Sequence, residues 1–68
     1  MERIVIKTEY IKLDQFLKFT LIASSGGEAK MMIEDGLVFV NGKMVFERGR
    51  KLKKGDKIEV QDQQFVIA

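Results

Sequence analysis

Apolar residues recur at different spacings along the chain, and each spacing predicts a different element. Ile4 and Ile6 alternate with Arg3, Val5 and Lys7, the period-two pattern of a half-buried strand, predicted over Glu2 to Lys7. From Leu13 the period lengthens. Leu13, Phe16, Leu17, Thr20 and Leu21 fall at i, i+3, i+4, i+7 and i+8, one face of a helix, with Asp14, Gln15 and Lys18 on the other. Asp14 in the first turn suits the positive helix end, and Asp14 and Lys18 are spaced to pair at i,i+4.

Ser24-Ser25-Gly26-Gly27 interrupts this pattern. Ser25 with Glu28 three residues later has capping-box spacing, which predicts a second helix close behind the first and joined to it by a short turn. Ala29, Met32 and Ile33 form its apolar face, and Gly36 is placed to end it in a left-handed conformation. Asn41-Gly42 then separates two runs rich in Val, Phe and Met. That dipeptide accepts positive φ at both central turn positions, so a hairpin is predicted from Leu37 to Phe46. Lys54-Gly55-Asp56 marks a further turn before the alternating Ile58 and Val60, and Gln61 to Gln64 separates these from Phe65, Val66 and Ile67. The implied fold class is α+β, two packed helices against a small antiparallel sheet of about four to five short strands. Phe16, Phe39, Phe46 and Phe65 fall at core positions of these patterns, whereas Tyr10 and Phe19 are not assigned by pattern.

Composition narrows the class. Sixty-eight residues with 46% apolar and 32% charged side chains describe one globular domain, residues 1–68, rather than a disordered or fibrous chain. Such a domain buries only about 60% of its unfolded surface, which leaves little room for both a core and a deep cavity. No cysteine is present, so disulfides and thiolate metal sites are excluded; no histidine is present, which removes the commonest general base. No apolar run approaches the roughly 18 residues of a membrane span, and the expected location is the cytoplasm.

Charge is the strongest functional signal. Lys43, Arg48, Arg50, Lys51, Lys53, Lys54 and Lys57 lie against only Glu47 and Asp56, so the segment from 43 to 57 carries net +5 while the remainder carries net −3. A concentrated positive patch on a mildly acidic body is what a polyanion partner requires. As a loop between strands, Arg48, Arg50, Lys51, Lys53 and Lys54 are suited to lie along phosphates, beyond the plainer role of solubilising a sheet edge. At the start of the second helix, Ser25, Gly26 and Gly27 expose backbone N–H groups at a positive helix end, a geometry that suits a phosphate as well as an ordinary cap. Catalysis finds no footing. Ser24 and Ser25 have no histidine to activate them, and no acidic loop is spaced for a metal, so a non-enzyme without cofactor or metal is expected.

Lys12-Leu13-Asp14 with Phe16-Leu17, Ser25 with Glu28-Ala29-Lys30 and Ile33, Gly36, Val38 with Val40-Asn41-Gly42, and later Lys51-Leu52 and Gly55-Asp56 before Ile58 together resemble the S4 (S-four) RNA-binding domain. The resemblance covers about residues 11 to 60. It implies the alpha-L RNA-binding motif, with the helix pair and adjoining turn against the RNA backbone, and it looks closest to the short stand-alone bacterial members, which are ribosome-associated. Lys12, Lys30 and Lys43 map onto basic positions of that family's RNA surface, and Ser25, Gly26 and Gly27 onto its RNA-facing turn. Two positions depart from the pattern. The family usually carries arginine where this chain has Lys12, and serine followed by arginine where it has Ser25-Gly26, and neither replacement offers the bidentate phosphate contact of a guanidinium.

The expectation is therefore a protein that recognises structured RNA, ribosomal RNA foremost, through phosphate contacts, and that assists ribosome assembly. Shape recognition is favoured over single-strand reading because no exposed aromatic row is evident. The rival is a protein-interaction adaptor using its acidic or apolar surface, to which Glu2, Glu9, Glu34 and Asp35 contribute. Duplex DNA is disfavoured because Gly26 and Gly27 stand where base-reading side chains are needed.

Overall fold

A computed structural model describes residues 1–68. The elements are β1 (Glu2–Ile4), β2 (Ile11–Lys12), α1 (Leu13–Phe19), α2 (Gly26–Glu34), β3 (Phe39–Val40), β4 (Lys43–Met44), β5 (Lys51–Leu52), β6 (Lys57–Val60) and β7 (Gln63–Ile67). Five strands form one sheet in the order β1-β7-β6-β3-β4, and β2 and β5 form a separate antiparallel ribbon. Within the larger sheet the neighbours run antiparallel except β1, which joins β7 in parallel. Amide bonds from Ile6 to Ala68 and from Ala68 to Ile4, at 3.1 and 2.8 Å, carry that parallel pairing past the end of β1.

Each helix buries the face its sequence spacing marks, Leu13, Phe16 and Leu17 on α1 and Ala29, Met32 and Ile33 on α2. The sheet answers with Val38, Val40, Ile58, Val60, Phe65 and Ile67, and every buried residue of the protein is apolar. Phe16 and Phe65 meet edge to face at 5.3 Å and 85°, joining α1 to β7 with an interaction worth about 0.5–1.5 kcal/mol beyond area burial.

Turn chemistry fixes the connections. Gly36, at φ +74°, closes α2 in a Schellman arrangement: its amide donates to the Ile33 carbonyl and the Leu37 amide to the Met32 carbonyl. Asn41 and Gly42, at φ +53° and +83°, make the tight β3–β4 turn as expected. Gln61 and Asp62, at φ +53° and +61°, make a second two-residue turn of the same kind, so β7 begins at Gln63 and what reads as a polar spacer is half strand.

Leu21 and Phe46 depart from their assigned roles. α1 ends at Phe19; Thr20 turns its hydroxyl back onto the Phe16 carbonyl, and Leu21 follows at φ +64° with 86% of its surface exposed instead of lying on the buried face. Phe46, expected in the core, is 58% exposed, because Val45 beside it takes the inward position opposite Val38. Phe39 is half-buried on the outer side of the sheet.

A leucine in the left-handed region costs about 1–2 kcal/mol, and an exposed one returns little by burial. Leu21→Gly is therefore expected to leave stability unchanged or raise it by up to about 1 kcal/mol, whereas β-branched Leu21→Val lowers it, as read by thermal denaturation. A loss of stability in the glycine variant would show that the Leu21 side chain supports the fold.

Candidate nucleic-acid interface

The basic segment is tied to the helix pair through its backbone. In the β2–β5 ribbon, Ile11 faces Leu52 and Lys12 faces Lys51. Leu52 is fully buried and Ile11 packs against the core, so alternation turns the ammonium-bearing partners, Lys12 and Lys51, outward together. Just beyond the ribbon, the Leu13 amide donates to the Arg50 carbonyl at 2.8 Å and the Asp14 amide to the Arg48 carbonyl at 3.1 Å. The stretch expected to be a loop is thus part strand and part helix cap, because burial of Leu52 and satisfaction of orphan helix amides both hold it down.

Those bonds also decide which helix start is open. At α1, the first two amides bond to the chain's own carbonyls, and the Gln15 amide bonds to the Asp14 carboxylate at 2.8 Å. At α2, the Ser25 hydroxyl accepts from the Glu28 amide at 3.1 Å, while the Glu28 carboxylate reaches back to the Ser24 amide at 2.7 Å, one residue earlier than a standard capping box. The Gly26 and Gly27 amides have no protein partner, and a Cβ built on Gly26 meets nothing within 4 Å. Lys30 lies one turn further on, on the same helix face as Gly26 and exposed. The α2 start is therefore uncovered, although a carboxylate already occupies part of its positive end.

A third link anchors the hairpin tip. The Asn41 side chain accepts from the Lys57 amide and donates to Asp56 Oδ1, both at 3.0 Å, and Asp56 Oδ2 accepts from the Lys53 amide at 2.8 Å. Asn41-Gly42-Lys43 is thereby locked to the Lys53–Lys57 turn, which puts the hairpin that carries Lys43 beside Lys53 and Lys54. On its other side that turn borders a shallow cleft lined by Lys7, Thr8, Glu9, Lys53 and Lys54.

The structure accordingly brings Lys12, Arg48, Arg50, Lys51, Lys53 and Lys54 into one continuous region, with the Lys43 hairpin bonded to its end. Ser25, Gly26, Gly27 and Lys30 form a second cluster with no hydrogen bond to the first. Every Lys and Arg of the chain is exposed. Two residues of this region were not singled out by sequence. Lys7 borders the cleft, and Tyr10 lies beneath the Lys51 ammonium, 4.9 Å from the ring centroid. Neither has a local signal: Tyr10 reaches the site beside the β2–β5 pairing, and Lys7 through the β1–β7 pairing and the bond from the Gly55 amide to the Ile67 carbonyl.

A family model for the S4 domain matches residues 4–68. The chain belongs to the S4 domain family. Among relatives of this S4 domain, the probable ribosome maturation protein RlbA of Bacillus subtilis (strain 168) is 45% identical over 58 residues, 85% of this chain and 82% of that protein. Among solved structures, the 30S ribosomal protein S4e of Thermoplasma acidophilum superposes with a TM-score of 0.63 at 26% identity, over 85% of this chain. The match spans 31% of the S4e chain, so this S4 domain corresponds to one portion of it. No helix of the S4 domain is long and apolar enough to cross a membrane.

Asp56 receives two hydrogen bonds and joins the two turns of the basic region. Asp56→Ala is expected to lower stability by about 1–2 kcal/mol in chemical denaturation, since bonds to a charged acceptor are lost at a half-buried site. Unchanged stability would show that the turns hold together without it.

Proposed function

We propose that this S4 domain binds structured RNA, with ribosomal RNA the foremost candidate, and acts in ribosome maturation as a non-catalytic ligand that holds a local RNA fold in the cytoplasm. The observation that carries this reading is the β2–β5 ribbon. It presents Lys12 and Lys51 side by side on a backbone fixed by the Leu13 and Asp14 amides, with Lys53 and Lys54 in the adjoining turn. A backbone already fixed beneath its cations loses little further freedom on meeting phosphates, and phosphate contacts supply the greater part of such affinity. The kinship with RlbA and with S4e, one named for ribosome maturation and the other a ribosomal protein, supports the choice of RNA over other polyanions.

Within this reading Lys12, Lys43, Arg48, Arg50, Lys51, Lys53 and Lys54 contact phosphates with their side chains. Ser25, Gly26 and Gly27 offer hydroxyl and amide donors, and Lys30 adds a charge one turn into α2. Glycine at position 26 leaves the amide route open where the family pattern places arginine, so that phosphate is met by a backbone dipole in place of a guanidinium. Tyr10, partly covered by Lys51, serves the cation more than it serves a base, and folded RNA is favoured over single strands. The role is read as non-enzymatic, in keeping with the S4 domain match and with a relative named for ribosome maturation.

The test is a salt titration of binding to a ribosomal RNA hairpin, with duplex DNA and single-stranded RNA as comparators. Lys53→Ala with Lys54→Ala is expected to weaken hairpin binding and to flatten the slope of log K against log salt by up to about two units, with the folding midpoint unchanged. An unaltered slope would remove this turn from the interface, and equal affinity for all three nucleic acids would contradict recognition of folded RNA.

A further inference from the structure

The outer side of the β3–β4 hairpin has the opposite character to the ribbon. Val38, Val40 and Val45 point into the core, so Leu37, Phe39, Met44 and Phe46 share the outer face by alternation and register. Leu37, Met44 and Phe46 are each about half exposed. They form one cluster: a Cβ built on Gly36 lies 2.9 Å from Met44 Sδ and 3.4 Å from Phe46 Cε1, so both side chains converge over the glycine that ends α2. An exposed contiguous apolar cluster of this kind marks an interaction site.

Its surroundings are anionic. α2 terminates beside it with Glu34 and Asp35 and with no basic residue in its last turn, leaving the negative end of the helix uncompensated. Glu59 stands opposite Phe39 on the neighbouring strand, on the same face. Two cations lie toward the hairpin tip, Lys43 next to Met44 and Lys57 in one cleft with Phe39 and Glu59, so charge changes sign along the face from the end of α2 to the tip.

We infer that this face is a docking site for a cationic protein segment, whose apolar residues cover Met44 and Phe46 and whose lysines or arginines meet Glu34, Asp35 and Glu59. RNA is repelled by those carboxylates. A second copy of the chain in a two-fold contact sets the same carboxylates against each other, which disfavours self-association there. The surface shares no residue with the RNA interface, so the inference stands or falls separately from it.

The test follows amide chemical shifts of the full chain on titration with a short peptide of alternating lysine and valine, and with its glutamate–valine counterpart. The lysine peptide is expected to shift Leu37, Phe39, Met44 and Phe46. Phe46→Ser, and separately Glu34→Lys with Asp35→Lys, each weaken it by about fivefold or more. The charge reversal also suits the end of α2, so it keeps the fold intact. RNA-hairpin affinity stays within about twofold of the parent in Phe46→Ser, as expected for a separate surface, whereas the charge reversal raises it, as added positive charge does for any polyanion. The inference is overturned if the glutamate peptide binds this face equally well, if the lysine peptide shifts other residues instead, or if both variants bind as the parent does. It is overturned equally if the RNA hairpin itself shifts these amides, or if sedimentation shows a dimer that Phe46→Ser dissolves.

Discussion

Two backbone hydrogen bonds, from the Leu13 amide to the Arg50 carbonyl and from the Asp14 amide to the Arg48 carbonyl, join the most highly charged part of the chain to the start of its first helix. Without them α1 would begin with unsatisfied donors, since Lys12 at its N-cap provides no side-chain acceptor. With them, a segment dense in like charge is held against its own repulsion, because the bonds engage carbonyls and leave every guanidinium and ammonium in water. Leu52 completes the anchor as the one fully buried side chain between Arg48 and Gly55.

This arrangement separates the tasks of stability and recognition. The interior is built from apolar side chains alone, and the Phe16–Phe65 contact ties helix to sheet without any buried polar group. Polar side chains instead fasten turns at the surface, most directly where Asn41 and Asp56 bridge the hairpin tip to the Lys53–Lys57 turn. A domain of this size has a small margin of stability, and burying any of its cations would spend that margin. Keeping charge outside and backbone pairing beneath it yields a positive surface that is shaped before a partner arrives. The same hairpin carries the opposite polarity at its far end, where α2 closes, so one short element separates two chemically distinct surfaces.

Much of this was legible in the sequence wherever a residue's local neighbours determine its fate. The alternation of Ile4 and Ile6, the helical spacing from Leu13 to Leu17, the Ser25 cap, Gly36 and Asn41-Gly42 all act within a few residues, and all form as their spacing implies. The features that escaped are non-local. The two-residue strand β2 exists because Lys51–Leu52 lies beside it, and Tyr10 reaches the basic region by the same pairing, while Lys7 reaches it through β1 and β7. The parallel placement of β1 against β7 joins the two ends of the chain, a contact that no window of sequence contains. Gln61-Asp62 was obscured for another reason: two consecutive left-handed residues without glycine or asparagine carry little turn signal. Leu21 and Phe46 matched an apolar pattern by residue type, but α1 ended before Leu21, and alternation gave the inward place to Val45 and turned Phe46 outward.

The account rests on the basic segment being a fixed part of the fold, and amide hydrogen exchange at the two helix starts tests this directly. Leu13 and Asp14 are expected to be protected to nearly the degree of Phe16 and Leu17, while the unpartnered Gly26 and Gly27 amides exchange freely. Exchange of Leu13 and Asp14 as fast as that of the two glycines would mean that Arg48 and Arg50 are not held against α1, and the preformed positive surface would be contradicted.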